Sequence, residues 1–325
     1  MALPRFVAGR VIKAIFVVIA IVVMNFFLIR LAPGDPAVVL AGESGAADPL
    51  FLEQLRRQFG LDRSLPEQLW LYLKGFLSFD LGFSHRQQRT IASLIFERLP
   101  ATILLTISAF TIALVGGIIL GTLAARRAGR WADSLISALA LVCYATPLFW
   151  IALMAVLLFS VTLEWLPAFG MATVGGNLTG LAYALDVAHH LILPATVLGL
   201  FYIALYTRLT RASLLEVGNQ DFIRTARAKG VRERRILWVH QLRNALLPII
   251  TMAGLQAGHL IGGAVVVETV FAWPGIGRLA FDALLQRDYN LLLGIFFITA
   301  SMVVLFNLIT DLIYGIVDPR IDVTR

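Results

Sequence analysis

Apolar residues gather into six stretches of membrane length, at about 11–31, 99–125, 134–163, 187–207, 244–267 and 289–310, with polar and charged residues between them. A span needs about 20 mostly apolar residues to cross a hydrocarbon core of roughly 30 Å, and each stretch reaches that length. The first holds Lys13 near its start and exits through Arg30-Leu31-Ala32-Pro33; the other five contain no Lys, Arg, Asp or Glu. The pattern predicts an all-α polytopic membrane protein with six transmembrane helices, because a helix satisfies its own backbone in lipid. The longer stretches leave room for overhang, tilt or a re-entrant piece.

Between the first and second stretches lies a long polar section, residues 32–98. Leu52, Leu55 and Phe59 recur at helical spacing, as do Leu69, Leu73 and Phe76, which predicts two short helices punctuated by Pro33, Pro36, Pro49 and Pro66. The chain thus divides into an N-terminus and first helix at 1–31, an extramembrane segment at 32–98 and a core at 99–325 that holds the second to sixth helices. Segment 164–188, with Gly175-Gly176-Asn177, is turn-rich and expected to be flexible. Segment 268–288 is shorter and, with Trp273-Pro274-Gly275, expected to be rigid at the membrane interface.

Composition agrees: 59% of residues are hydrophobic and 14% charged, against about 25% charged in a soluble domain. The distribution of charge then orients the bundle. Seventeen of the 27 basic residues fall in the N-terminal segment, loop 126–130, the section 208–243 and the tail, whereas residues 32–98 balance seven basic residues with eight acids. Both termini are therefore expected in the cytoplasm and residues 32–98 outside it. The first stretch is as long as a full span and has no small-x-small cleavage site at its exit, so it reads as an uncleaved helix. Cys143 stands alone in an apolar span and reads as a packing residue, and the net charge of +7 is accounted for by the cytoplasmic loops, giving no reason to invoke nucleic acid.

The section 221–248, DFIRTARAKGVRERRILWVHQLRNALLP, is basic and amphipathic. From Arg208 to Arg243 there are nine Lys or Arg against Glu216, Asp221 and Glu233. Asn219 or Asp221 can cap a short helix and Gly230 can end it in the left-handed conformation. Phe222 and Ala226 then share one face, and Arg224 and Arg227 another. On charge alone the section is either a docking surface or a positive-inside loop that holds topology.

The order of residues separates these readings. Arg224-Thr225-Ala226-Arg227-Ala228-Lys229-Gly230, followed by His240 and by Arg243-Asn244-Ala245-Leu246-Leu247-Pro248, resembles the coupling motif of binding-protein-dependent ABC importer permeases, most of all the dipeptide, oligopeptide and nickel branch. Further points of likeness are Pro33-Gly34-Asp35-Pro36, Phe59-Gly60-Leu61-Asp62, Asp80-Leu81-Gly82, Glu268-Thr269-Val270-Phe271, Pro274-Gly275-Ile276-Gly277 and Asp318-Pro319-Arg320, so the resemblance runs through nearly the whole chain. Gly230 and Pro248 stand eighteen residues apart, longer than in the generic importer motif but similar to the peptide and nickel branch. The resemblance implies a multi-pass inner-membrane permease for peptides or a related small solute, nickel or a metal chelate included. Its implied partners are a second homologous permease, two ABC ATPases that bind ATP and Mg, and an extracytoplasmic solute-binding protein. A cytoplasmic coupling loop at about 208–247, between helices 4 and 5, would meet the ATPases through Asp221, Arg224, Thr225, Ala226, Arg227, Ala228, Lys229 and Gly230, with Ala226 and Ala228 allowing close approach. Residues 32–98 would form either a landing surface for the binding protein or a spacer closing the helix tops.

Within the spans, Gly254, Gly258 and Gly262 lie on one face of the fifth helix, and Gly117 and Gly121 pair in the second; such faces serve close packing or sliding. Gln256, His259 and Asn307 are candidates for the translocation path, with interhelical hydrogen bonding as the alternative, and Asp311 lies nearer the cytoplasmic end. His189-His190 are adjacent, point in different directions on a helix and lack accompanying thiol or carboxylate ligands, so no metal site is expected. No G-x-x-x-x-G-K-[ST], H-E-x-x-H or G-x-S-x-G occurs, which leaves the chain without a catalytic motif of its own and ATP hydrolysis to partner subunits.

Overall fold

The computed structural model describes residues 2–31, 53, 63–78, 80–84 and 86–317. The motifs Pro33 to Pro36, Phe59 to Asp62 and Asp318 to Arg320 lie outside the described residues, as does most of the first expected short helix. The chain forms two compact units, one of residues 1–98 and 280–325 and one of 99–279.

In the first unit, helix α1 (Ala2–Leu31) is joined by α2 (Leu65–Leu77), where Phe26 meets Tyr72 with ring centroids 5.6 Å apart. A small hairpin pairs β1 (Phe83–Ser84) with β2 (Arg89–Thr90) and leads into helix α3 (Ile91–Arg126). That helix begins at Ile91, earlier than the expected start near 99, because Glu97 rides on its exposed side and pairs with Arg89 at 2.8 Å. The last residues of the expected extramembrane segment therefore belong to the same helix as the second apolar stretch. Helix α11 (Tyr289–Val317) packs on α1. Its start is fixed by Asp288, which accepts the Leu291 amide at 3.1 Å and the hydroxyl hydrogen of Ser84 from β1.

The second unit holds the expected second, third, fourth and fifth stretches. The third is not one straight span. Helix α4 (Trp131–Ala145) stops at Thr146-Pro147, and α5 (Leu148–Ala155) continues through a π-helical segment to Thr162, at 102° to α4. Proline disfavours a helical conformation at the residue before it, and Thr146 is extended (φ −81°, ψ 133°). Helix α6 (Gly180–Gly218) is longer than the stretch 187–207 that predicts it and takes its first turns from the segment expected to be a flexible loop. The remainder of that segment is tied down. Gly170 N–H donates to the Phe271 carbonyl at 2.8 Å, Thr173 donates through N–H and Oγ1 to the Asp186 carboxylate at 2.6 and 2.8 Å, and His189 Nε2 reaches the Trp165 carbonyl at 3.1 Å.

Three short elements link α6 to the next long helix: α7 (Asp221–Ala228), α8 (Glu233–Arg235) and a π-helical segment from Ile236 to Gln241, which runs directly into α9 (Leu242–Val270). Segment 268–288 contains a further helix, α10 (Ile276–Leu285). Trp273, expected as an interfacial residue, is instead fully buried in the core of this unit and donates its indole N–H to the Ala101 carbonyl at 2.9 Å.

By length and apolarity four of the described helices can cross a membrane, and five if the bent α4–α5 pair counts as one span. The expected stretch 244–267 falls in α9, part of whose side chains lie outside the described residues.

Candidate functional site

Helix α7 forms as an eight-residue step between two long helices. Neither expected cap operates: Gln220 is the N-cap residue, Asn219 ends α6 in helical conformation, and Asp221 is already the first helical residue. Asp221 instead meets Arg224 at 3.4 Å, an exposed pair worth little in water. The other end matches expectation. Gly230 has φ +73°, its N–H donates to Arg227 O at 2.9 Å, and Val231 N–H donates to Ala226 O at 3.2 Å, the paired bonds of a Schellman terminus.

The helix is anchored by Ile223 and Ala226. Both are buried against Leu214 and Val217 of α6 and against Ile236, Leu237, Leu242 and Ala245 at the entry to α9. Phe222, expected to share a face with Ala226, is 42% exposed, and Ile223, one position on, is the residue buried beside Ala226. Ala226, expected with Ala228 to admit a partner, faces the chain's own core, whereas Ala228 is exposed. Arg224, Thr225, Lys229 and Gly230 are also exposed, and Arg227, part-exposed, holds Glu233 at 2.9 Å. The outward surface of α7 thus presents an aromatic ring, a small residue and two cations, Arg224 and Lys229.

Two other basic residues of the 208–243 section serve internal contacts. Arg211 grips Asp133 with both arms, Nε to Oδ1 at 2.6 Å and Nη2 to Oδ2 at 2.7 Å, and Asp133 also accepts the Gly129 amide at 3.0 Å. This fork ties loop 126–130 and the start of α4 to α6. Arg208 lies 5.3 Å from the centre of the Tyr144 ring.

Beside α7 runs a groove of about 690 Å³, bounded by Arg126 at the end of α3, by Leu214 and Gly218 of α6, and by Arg227, Arg234 and Trp238. On the far side of Trp238 a second recess of about 630 Å³ is lined by Lys229, Arg232, Arg234 and Arg235.

Among the glycines, Gly117 and Gly121 face α6: a Cβ on Gly117 would overlap Tyr206, and one on Gly121 would lie 2.6 Å from the Thr207 carbonyl oxygen. Gly199 of α6 joins the same seam, with Ala109 O 3.0 Å from where its Cβ would stand, and was not singled out from the sequence. Gly254 is half-buried on α9; Gly258, Gly262 and His259 are on the same helix but outside the residues whose surroundings are described. Gln256 is half-buried on α9 and Asn307 exposed on α11, in different units. Asp311 lies outside the residues with described side chains. His190 Nδ1 turns to the Asp186 carbonyl at 2.9 Å, and no cluster of metal-ligating side chains occurs among the described residues.

Glu268, the first residue of the Glu268-Thr269-Val270-Phe271 motif, is a buried carboxylate. It accepts the Thr102 hydroxyl at 2.7 Å and the Arg278 amide at 3.0 Å, while Thr102 Oγ1 accepts the Ile276 amide at 2.8 Å. Gly275 lacks a side chain where any Cβ would overlap that carboxylate, which accounts for the Pro-Gly step seven residues on.

Residues 117–323 match the family model described as binding-protein-dependent transport system inner membrane component, and residues 3–106 match the corresponding N-terminal model. The chain is 42% identical over 312 residues to a Brucella abortus (strain 2308) protein provisionally named a peptide transport system permease, covering 96% of this chain and 97% of that protein. It is 38% identical over 334 residues to the dipeptide transport system permease protein DppB of Escherichia coli (strain K12), covering 98% of each. Among solved structures, an inward-facing MetNI methionine ABC transporter matches in fold with a TM-score of 0.56 at 17% identity, over 70% of this chain and 97% of that one.

Proposed function

Because the chain belongs to the family of binding-protein-dependent transport system inner membrane components, we propose that it forms one half of the pore of an ATP-driven importer for peptides and that α7 is the element on which a partner ATPase bears. Peptide is the solute class named for its relatives of 42% and 38% identity. A second homologous permease completes the pore, two ATPases carry the ATP and Mg, and an extracytoplasmic binding protein delivers solute. The assembly holds six spans from this chain, with α9 as the fifth, and both termini in the cytoplasm.

The observation that carries this reading is the two-sided character of α7. Its inner side is locked by Ile223 and Ala226 to the end of α6 and the start of α9, and its outer side is free. A push on Phe222, Arg224, Thr225 and Ala228 therefore moves two long helices as one body. The glycine seam then passes that motion from α6 to α3, since Gly117 and Gly121 leave no slack between them. Arg224 and Lys229 supply charge for an acidic or carbonyl-rich docking surface, and Phe222 supplies apolar area.

Affinity capture of the tagged chain from its native membrane, with mass spectrometry and an ATPase assay on the eluate, tests the assembly. Recovery of a second permease and Walker-motif ATPases is the expected result. Recovery of the chain alone, with uptake abolished by an uncoupler and indifferent to ATP depletion, would instead identify an ion-coupled transporter.

A further inference from the structure

The recess on the far side of Trp238 is built differently from the groove next to it. Lys229, Arg232, Arg234 and Arg235 line it, and no acid does. Glu233, the acid nearest in sequence, lines the neighbouring groove and is held by Arg227 at 2.9 Å. Four cations thus share one concave space from which the local carboxylate is turned away, an arrangement that fits an anion rather than a surface ion pair.

The position of the recess identifies the anion. Arg234 and Trp238 line both the recess and the groove, and the groove reaches Arg126, the last residue of the membrane-length helix α3. The recess thus adjoins the groove that reaches the basic end of this apolar helix. Trp238 is 54% exposed and Val239 48% exposed beside it, an aromatic and an aliphatic side chain placed as at a membrane–water interface. At that depth the abundant anion is the phosphodiester of a lipid headgroup, and basic pockets between helices on the cytoplasmic side are where such headgroups bind. A zwitterionic lipid carries its own ammonium to compete with the arginines, so the site favours a headgroup of net negative charge.

We infer that Arg232, Arg234 and Arg235 form a binding site for the headgroup of an anionic phospholipid, with the Trp238 ring against its acyl–headgroup boundary, while Lys229, the C-cap of α7, stays with the docking surface. Bound lipid would hold the entry to α9 to the bilayer surface while α7 moves with its partner. The inference requires the cytoplasmic placement of this loop but not the identity of the solute or of the ATPase.

The test uses the assembled transporter, reconstituted in phosphatidylcholine nanodiscs doped with equal amounts of phosphatidylglycerol and phosphatidylethanolamine, re-extracted, and analysed for lipid retained per complex. Arg232→Gln/Arg235→Gln is compared with wild type and with Arg232→Lys/Arg235→Lys, and ATPase co-elution is followed in parallel. Wild type and the lysine variant are expected to retain phosphatidylglycerol over phosphatidylethanolamine. The glutamine variant should lose about thirtyfold in that preference, the equivalent of two cations near a charged membrane surface, with ATPase co-elution unchanged. Equal retention of both lipids by wild type, or an undiminished preference in the glutamine variant, would overturn the inference. Loss of ATPase co-elution with unaltered lipid retention would also overturn it, by assigning the arginines to the ATPase interface.

Discussion

Thr102 and Glu268, on α3 and α9, are joined by a 2.7 Å hydrogen bond inside the protein, and the same threonine hydroxyl oxygen receives the Ile276 amide that opens α10. One side chain thereby fastens two long helices and a helix start. Thr102→Val removes the hydroxyl and leaves a buried amide and a carboxylate oxygen without their partner. It should destabilise the purified protein by about 2–4 kcal/mol, read as a fall in Tm, whereas Thr102→Ser should recover most of that. Gly275→Ala should be at least as damaging, because the added methyl overlaps the Glu268 carboxylate.

The Asp133–Arg211 fork makes a second stability claim. Asp133 is buried, its side chain 6% exposed, while that of Arg211 is 34% exposed. Removing Arg211 leaves an uncompensated carboxylate, so Arg211→Ala should cost about 2–3 kcal/mol, less than for a fully buried pair because water reaches the guanidinium side. Arg211→Lys should fall between, since an ammonium cannot reproduce the two parallel bonds. Thermal unfolding in detergent ranks the three proteins.

Gly230 meets nothing within 4 Å where a Cβ would stand, so its substitution tests conformation alone. Gly230→Ala should cost about 1–2 kcal/mol from the left-handed φ, and Gly230→Asn distinctly less. If both variants matched wild type in stability and in uptake, the Schellman terminus would have no part in holding α7.

Gly121 and Gly117 stand where α3 meets α6, and side chains there force the helices apart. Gly121→Leu should lower both Tm and uptake, while Gly129→Ala, at a position open on all sides, should affect stability only through its positive φ. Uptake and Tm measured together check this ordering.

The long apolar helices were legible because five stretches lack charge altogether, and α7 with its glycine terminus because eight residues between a polar start and Gly230 leave little choice. Which face of α7 turns inward was not. Phe222 lies four residues before Ala226 and Ile223 three, so both satisfy helical spacing, and only the leucines and isoleucines beneath decide between them. The Asn219 and Asp221 caps failed because α6 runs on to Gly218 and absorbs the first of them. Thr146-Pro147 carried the signal for the bend in the third stretch, yet its apolar flanks read as one continuous span. Asp133–Arg211 and Thr102–Glu268 join residues 78 and 166 positions apart, a pairing that periodicity does not encode.

The outer side of α7 carries the central claim, and co-elution of the ATPase with the tagged permease measures it most directly. Phe222→Ala/Arg224→Glu alters only exposed side chains, so the variant should reach the membrane at the wild-type level with an unchanged Tm. Its ATPase co-elution and its solute uptake should both fall by roughly tenfold or more, the effect of losing an aromatic anchor and reversing a charge at an interface. Undiminished co-elution and uptake, from a variant present in the membrane in normal amount, would contradict the account and leave α7 as a basic loop that does no more than hold the helices in their topology.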